Sequence, residues 1–243
     1  NKIEIVEDPI SGSVYEGPLA VIVDRYSASA SEIFAGAIQD YSRGIVVGQQ
    51  TFGKGTVQNL YHLDRYSRFQ SKKGFGQLTL TIGKFYRVSG QGTQNKGVIP
   101  DIRLPSFIDE EVVGEDTKKN TLPWDKIMSL EYDSDLSLHQ SIEKLKKNFA
   151  EKSKENLPLL FLQEDIDQIT EQNKQTKLSL NYEKRKIKRD QFKKVTQDRR
   201  TKRLEELGYS NENNFNDFAS KTLLNEVLNT VVNLIESKEI ESG

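Results

Sequence analysis

Two apolar, β-branched runs separated by a helix-periodic segment constrain this chain more than any other feature. Residues 18–23, Pro-Leu-Ala-Val-Ile-Val, form a continuous apolar run, the pattern of a strand buried on both faces of a parallel sheet. From Ser29 the period changes. Ile33, Phe34, Ala37, Ile38 and Tyr41 fall at helical spacing, which predicts an amphipathic helix ending near Gly44. Gly44-Ile45-Val46-Val47-Gly48 reads as the next strand. Strand, helix and strand within about 30 residues make a right-handed βαβ unit.

Downstream the pattern stays extended for a while. Residues 56–63 read as a strand, 64–75 as a polar loop and 77–82 as a half-buried strand continuing through 84–88. Residues 97–102 read as a short edge strand, since Pro100 cannot donate to a ladder. Composition then shifts. Residues 1–105 are rich in Val, Ile, Gly and aromatics, whereas the rest is rich in Lys, Glu, Asp, Asn and Gln. This divides the chain into an α/β unit over 1–105, a linker over 106–120 and a mostly α-helical unit over 121–243. Trp124 is a candidate packing anchor. Helices are predicted over 134–155, 162–178, 183–207 and 212–238, with Asp165, Ser210 and Asn214 as candidate caps.

Bulk properties remove several function classes. The 35 basic and 36 acidic residues leave a net charge of −1, which favours neither nucleic acid nor a membrane surface. There is no cysteine, hence no disulfide, thiolate metal site or thiol nucleophile. No apolar run approaches the roughly 18 residues of a membrane span. The first residue is Asn1, not Met, so a processed product or excised fragment is expected.

The chemistry-bearing residues lie around the predicted helix. Ser27-Ala28-Ser29-Ala30-Ser31-Glu32 opens it, and Phe52-Gly53-Lys54-Gly55-Thr56 comes after the second strand. Ser29 with Glu32 three residues later is a capping box. A hydroxyl at that position also gains from the helix dipole and from free N–H groups that can hold an oxyanion, the first being that of Ala30. Most lysines are solvated charges. Flanking glycines permit tight backbone passage beside Lys54, and its apolar neighbours Val46, Val47 and Phe52 could desolvate it. To serve as a base its pKa must fall by roughly 2–4 units. Gln58 shares a strand face with positions 54 and 56 and could orient the amine. His62 and His139 are poor competitors on their placement.

Two bland or rival readings remain open at this level. Gly48 to Thr56 nearly matches a phosphate-binding loop, but such a loop must feed a helix, and extended sequence comes after Lys54. Residues 184–203 carry eleven Lys/Arg, which could bind nucleic acid. Asp190 and Asp198 interrupt them, and Ile187, Phe192 and Val195 supply a packing stripe, so a solvated helix face is the reading.

Three blocks resemble the tail-specific, or carboxy-terminal processing, proteases of peptidase family S41. They are residues 18–41, residues 51–58 (Thr-Phe-Gly-Lys-Gly-Thr-Val-Gln) and residues 96–102 (Lys-Gly-Val-Ile-Pro-Asp-Ile). Leu122-Pro123-Trp124-Asp125 and the helices beyond are similar to the C-terminal domain of the long bacterial form. The resemblance implies a ClpP/crotonase-like core, present in part, followed by a helical domain. It implies Ser29 as nucleophile, Lys54 as general base, Gln58 as its orienting partner and the Ala30 N–H as an oxyanion donor. It further implies protein substrates with apolar C-termini, an adaptor partner, a periplasmic location, and no metal, nucleotide or other cofactor. In the family a PDZ domain and a glycine-rich segment giving the other oxyanion donor precede the nucleophile, and residues 1–17 contain neither. One lost donor costs on the order of 10²–10³ in rate, so the chain alone is expected to be weakly active or inactive. The rivals are a non-catalytic partner-binding module and a nucleotide-dependent kinase.

Overall fold

The computed structural model describes residues 5–10, 12–69, 72–208 and 217–241, with side chains to Glu236. Strand β1 (Ala20–Val23), helix α1 (Ala30–Asp40) and strand β2 (Ile45–Gly48) form the expected βαβ unit. β1 and β2 are parallel, with Val21 opposite Val46. A two-residue strand, β5 (Ile102–Arg103), pairs parallel to β2 on its other side, giving the order β1-β2-β5. Between β2 and β5 the chain makes an antiparallel hairpin of β3 (Thr56–His62) and β4 (Gln77–Lys84), which forms a separate sheet.

Helices α2 (Leu136–Lys152), α3 (Leu157–Asn173), α4 (Tyr182–Glu206) and α5 (Phe218–Glu241) complete the chain. The architecture is a mixed α/β part followed by a mostly helical part. The two share a core because side chains alternate across a strand. On one face of the sheet Ile45, Val47, Ile102 and Leu104 meet Leu138, Ile142 and Leu145 of α2 and Val227 and Leu234 of α5. On the other face Val46 meets Val23, Val98 and Ala35 of α1. A polar tie runs parallel to this core. Asp101 accepts hydrogen bonds from the Val46 N–H and Gln39 Nε2 and lies 3.4 Å from Lys146 of α2. Burial opposes the Lys146 charge, but its hydrogen bond to Glu143 and the field of Asp101 outweigh that and raise its pKa.

Several expectations are corrected. Ile38 of α1 packs on the Val23/Val46 cluster as expected and Ala37 is half-buried, but the fully buried positions are Glu32, Ala35 and Gly36, whereas Ile33, Phe34 and Tyr41 are exposed. The small residues let Arg87 lie against the helix, where it forks onto Asp40 and reaches the Gly36 carbonyl. The helix also ends at Asp40, short of Gly44. Of residues 97–102 only Ile102 pairs in the sheet, and β4 stops at Lys84. Helix α3 starts at Leu157, capped by Asn156 with Pro158 in its first turn, where proline's missing N–H costs nothing. Asp165 is therefore inside the helix, paired with Arg199 and Arg203. Ser210 and Asn214 lie outside the described residues. Ile187, Phe192 and Val195 are exposed, not a packing stripe; α4 is held through the ends of its arginines. Trp124 does anchor its segment, but onto the α/β part, donating to the Gly92 carbonyl at 2.8 Å beneath the Lys96 ammonium.

Candidate active site

Ser29 sits at the sharp turn between β1 and α1. The turn is built by Asp24, whose carboxylate accepts the N–H groups of Tyr26 and Ser27. At Ser29 the backbone has φ 57° and ψ −111°, a region that L-residues rarely occupy. Such strain costs on the order of 1–3 kcal/mol and persists only where the surroundings enforce it. The N–H of Ala30, the first helical residue, has no acceptor four residues back, since Tyr26 lies outside the helix.

The enforcing group is Glu32. Its side chain is fully buried, yet it is bonded on every side. Oε2 accepts the N–H of Ser29 at 2.8 Å and that of Lys54 at 2.8 Å; Oε1 accepts the N–H of Gly53 and the Thr51 hydroxyl, both at 2.6 Å. One oxygen thus holds the backbone nitrogens of both candidate catalytic residues. The carboxylate does the capping-box work that the sequence suggests and also ties two loops together.

The loop carrying Lys54 is fixed from several directions. The Phe52 N–H donates to the Ser27 carbonyl at 2.9 Å, the Asn95 N–H to the Gly53 carbonyl at 2.8 Å, and the Gly55 N–H to buried Gln94 Oε1 at 2.9 Å. The flanking glycines have a steric reason. Gly53 has φ +90°, and a Cβ there would lie 2.9 Å from the Asn95 carbonyl carbon; one on Gly55 would lie 2.6 Å from the Gln94 nitrogen. Lys54 itself is half-buried. The chain leaves this loop into β3, an extended strand and not a helix.

Gln58 lies on β3, exposed, with Nε2 3.5 Å from the Thr81 hydroxyl. The strand begins at Thr56, so strand alternation does not extend back to Lys54. Sequence reasoning saw Glu32 only as a cap and did not single out Arg25, Thr51 or Gln94. Arg25 could not be found from spacing, because its partner Asp116 is 91 residues away. Among the described residues no group of three or more His, Asp or Glu could hold a metal ion, and no helix is long and apolar enough to cross a membrane.

Two family models match the chain. The model for peptidase family S41 matches residues 4–104, and that for the C-terminal domain of tail specific protease matches residues 108–239. A tail-specific protease of Haemophilus influenzae is 42% identical over 193 residues, covering 78% of this chain and 28% of that protein. A carboxy-terminal-processing protease of Bartonella bacilliformis is 40% identical over 101 residues, covering 42% of this chain and 21% of that protein. Among solved structures, the photosystem II D1 C-terminal processing protease is 37% identical, covering 36% of this chain and 20% of that one, with a TM-score of 0.30. The chain thus spans less than a third of the length of these relatives.

Proposed function

The chain belongs to peptidase family S41, the tail-specific or C-terminal processing proteases, and from that premise we propose that it carries the reacting residues of a serine endopeptidase that cuts proteins near their C-termini. The observation that carries the proposal is the single Glu32 oxygen that binds the N–H groups of Ser29 and Lys54. It brings the two backbone nitrogens within the sum of two 2.8 Å bonds, which supports the reading of Ser29 and Lys54 as one site.

The chemistry then runs as acyl transfer. Lys54 Nζ takes the proton of Ser29 Oγ as the oxygen bonds to the substrate carbonyl carbon. The Ala30 N–H donates to the oxyanion that forms, at a helix N-terminus whose dipole favours negative charge. The peptide C–N bond breaks and the departing nitrogen takes the proton from Lys54. Water, deprotonated by the same amine, then attacks the Ser29 ester; the acyl C–Oγ bond breaks, Ser29 Oγ takes the proton back from Lys54, and the new C-terminus is freed. The family resemblance alone gives Gln58 the role of orienting the Lys54 amine; here its Nε2 lies 3.5 Å from the Thr81 hydroxyl.

In this reading the α/β part is a portion of a ClpP/crotonase-like core. The division into 1–105, 106–120 and 121–243 is that of protease core, connection and helical domain. Substrates are proteins with apolar C-terminal tails, the location is the periplasm, and an adaptor protein can present substrate. The test is covalent labelling with a small fluorophosphonate, which needs the nucleophile and base but no substrate-tail recognition. Labelling is expected at Ser29 and is expected to vanish in Ser29→Ala. Equal labelling of the variant would assign the reaction to another serine and end the proposal.

A further inference from the structure

We infer that Arg25 and the strap of residues 109–118 are positioning elements for the Lys54 loop, so that the segment connecting the α/β and helical parts sets the reactivity of the dyad. The inference rests on the proposed Ser29/Lys54 dyad. Arg25 is a charged side chain with 1% of its surface exposed, four residues before the proposed nucleophile. Its guanidinium spends its donors on two places at once. Nη1 donates to the Thr51 carbonyl at 2.7 Å, three residues before Lys54. Nε donates to the Val113 carbonyl, and Nη2 to Asp116 Oδ1 at 2.7 Å and to the Glu110 carbonyl at 3.3 Å.

The strap closes on the same loop by a second route. The Glu115 N–H donates to the Phe52 carbonyl at 2.8 Å. The Glu115 carboxylate lies 3.4 Å from Gln94 Nε2, and Gln94 Oε1 in turn holds the Gly55 N–H. Lys118 binds Glu115 Oε2 at 2.8 Å and places its ammonium 4.9 Å from the centre of the Phe52 ring. Residues read from composition as a connection therefore bond to the base-bearing loop on both sides of Lys54, at Thr51 and Phe52 directly and at Gly55 through Gln94. None of these groups touches the reacting atoms; they act through the position of Lys54.

A planar fork with five donors in fixed directions cannot be replaced by an ammonium, so Arg25→Lys keeps the charge and loses the geometry. Gly114 offers an independent lever. Its φ is +152°, and a Cβ there would lie 2.3 Å from both Arg25 Nη2 and Asp116 Oδ1, so Gly114→Ala wedges the latch open from the strap side. Asp116 is 45% exposed, and Asp116→Asn weakens one arm in a position that tolerates the change.

The experiment measures the rate of Ser29 phosphonylation in the full chain by a fluorophosphonate, with each variant made both alone and together with Lys54→Ala. Displacement of a catalytic group by about 1 Å costs up to about 10² in rate, so Arg25→Lys and Gly114→Ala should each slow labelling about tenfold or more, and Asp116→Asn about threefold. In the Lys54→Ala background the same substitutions should change the rate by less than about twofold, because groups acting through one residue are non-additive. Unchanged labelling in any variant that melts cooperatively overturns the inference for that arm. An equal fold-loss with and without Lys54 overturns it altogether, since the effect would then be general damage. If Arg25→Lys does not fold, Gly114→Ala and Asp116→Asn decide. A wild-type rate no higher than that of Lys54→Ala is a different result: it defeats the dyad reading, and the latch with it.

Discussion

Replacing Lys54 with Ala should slow acylation of Ser29 by about 10²–10⁴, the usual contribution of a positioned general base, while leaving the melting temperature close to that of the wild type. The two halves of this prediction have separate structural reasons. The loop is fixed through its backbone: the Lys54 N–H on Glu32, the Gly53 carbonyl on the Asn95 N–H, and the Gly55 N–H on Gln94 all survive the substitution. The side chain is half-buried and belongs to neither hydrophobic cluster, so its removal opens no cavity in the core. Rates of fluorophosphonate capture and thermal melts of the two proteins check it. A folded Lys54→Ala chain that reacts at the wild-type rate would remove the base from the mechanism.

Glu32→Ala should fail in the other way, losing both stability and reactivity. It leaves the N–H groups of Ser29, Gly53 and Lys54 and the hydroxyl of Thr51 without their acceptor. A buried donor stripped of its partner costs about 1–3 kcal/mol, so a loss of about 3 kcal/mol or more is expected even if water enters part of the space. That is a large share of the roughly 5–15 kcal/mol typical of a folded domain. The Ser29 turn should relax from its φ of 57° once the carboxylate is gone, because among the described residues nothing else accepts its N–H. Glu32→Gln, which keeps one acceptor oxygen but turns an N–H₂ group toward other donors, should fall between Ala and the wild type. Urea unfolding gives the stability order, and probe capture by Ser29 gives the reactivity order. A Glu32→Ala chain as stable as the wild type would mean that the four bonds contribute nothing net.

The elements legible in the sequence were those whose signal is local. The apolar runs of β1 and β2, the helical spacing between them and the charged C-terminal helices come from short-range periodicity. Ser29 and Lys54 were visible because small residues and glycines surround them. The features that escaped depend on contacts between distant residues. The apolar side chains of α1 gave its period and, at Ile38, part of its buried face; Ile33 and Phe34 are exposed instead, because Ala35 and Gly36 permit a closer approach and Arg87 comes from far along the chain to use it. Asn156 was passed over as a cap in favour of Asp165, because a proline in the first turn hides a helix start from a reading based on periodicity. Glu32 announced a capping box and concealed the three contacts it makes across the loops. Arg25 has no local signal, and residues 109–118 lie within the stretch read as a linker; only the folded chain brings them to Thr51 and Phe52.

The most direct test of the central claim is to trap the ester. The chain is mixed with an activated acyl donor, quenched in acid after a short interval, and digested with trypsin, which releases residues 26–43 as one peptide containing Ser27, Ser29, Ser31 and Ser42. Fragment masses then locate the acyl group. A Lys54-dependent adduct on Ser29 is the predicted result; an adduct on a neighbouring serine, or one on Ser29 that forms equally fast without Lys54, contradicts the account.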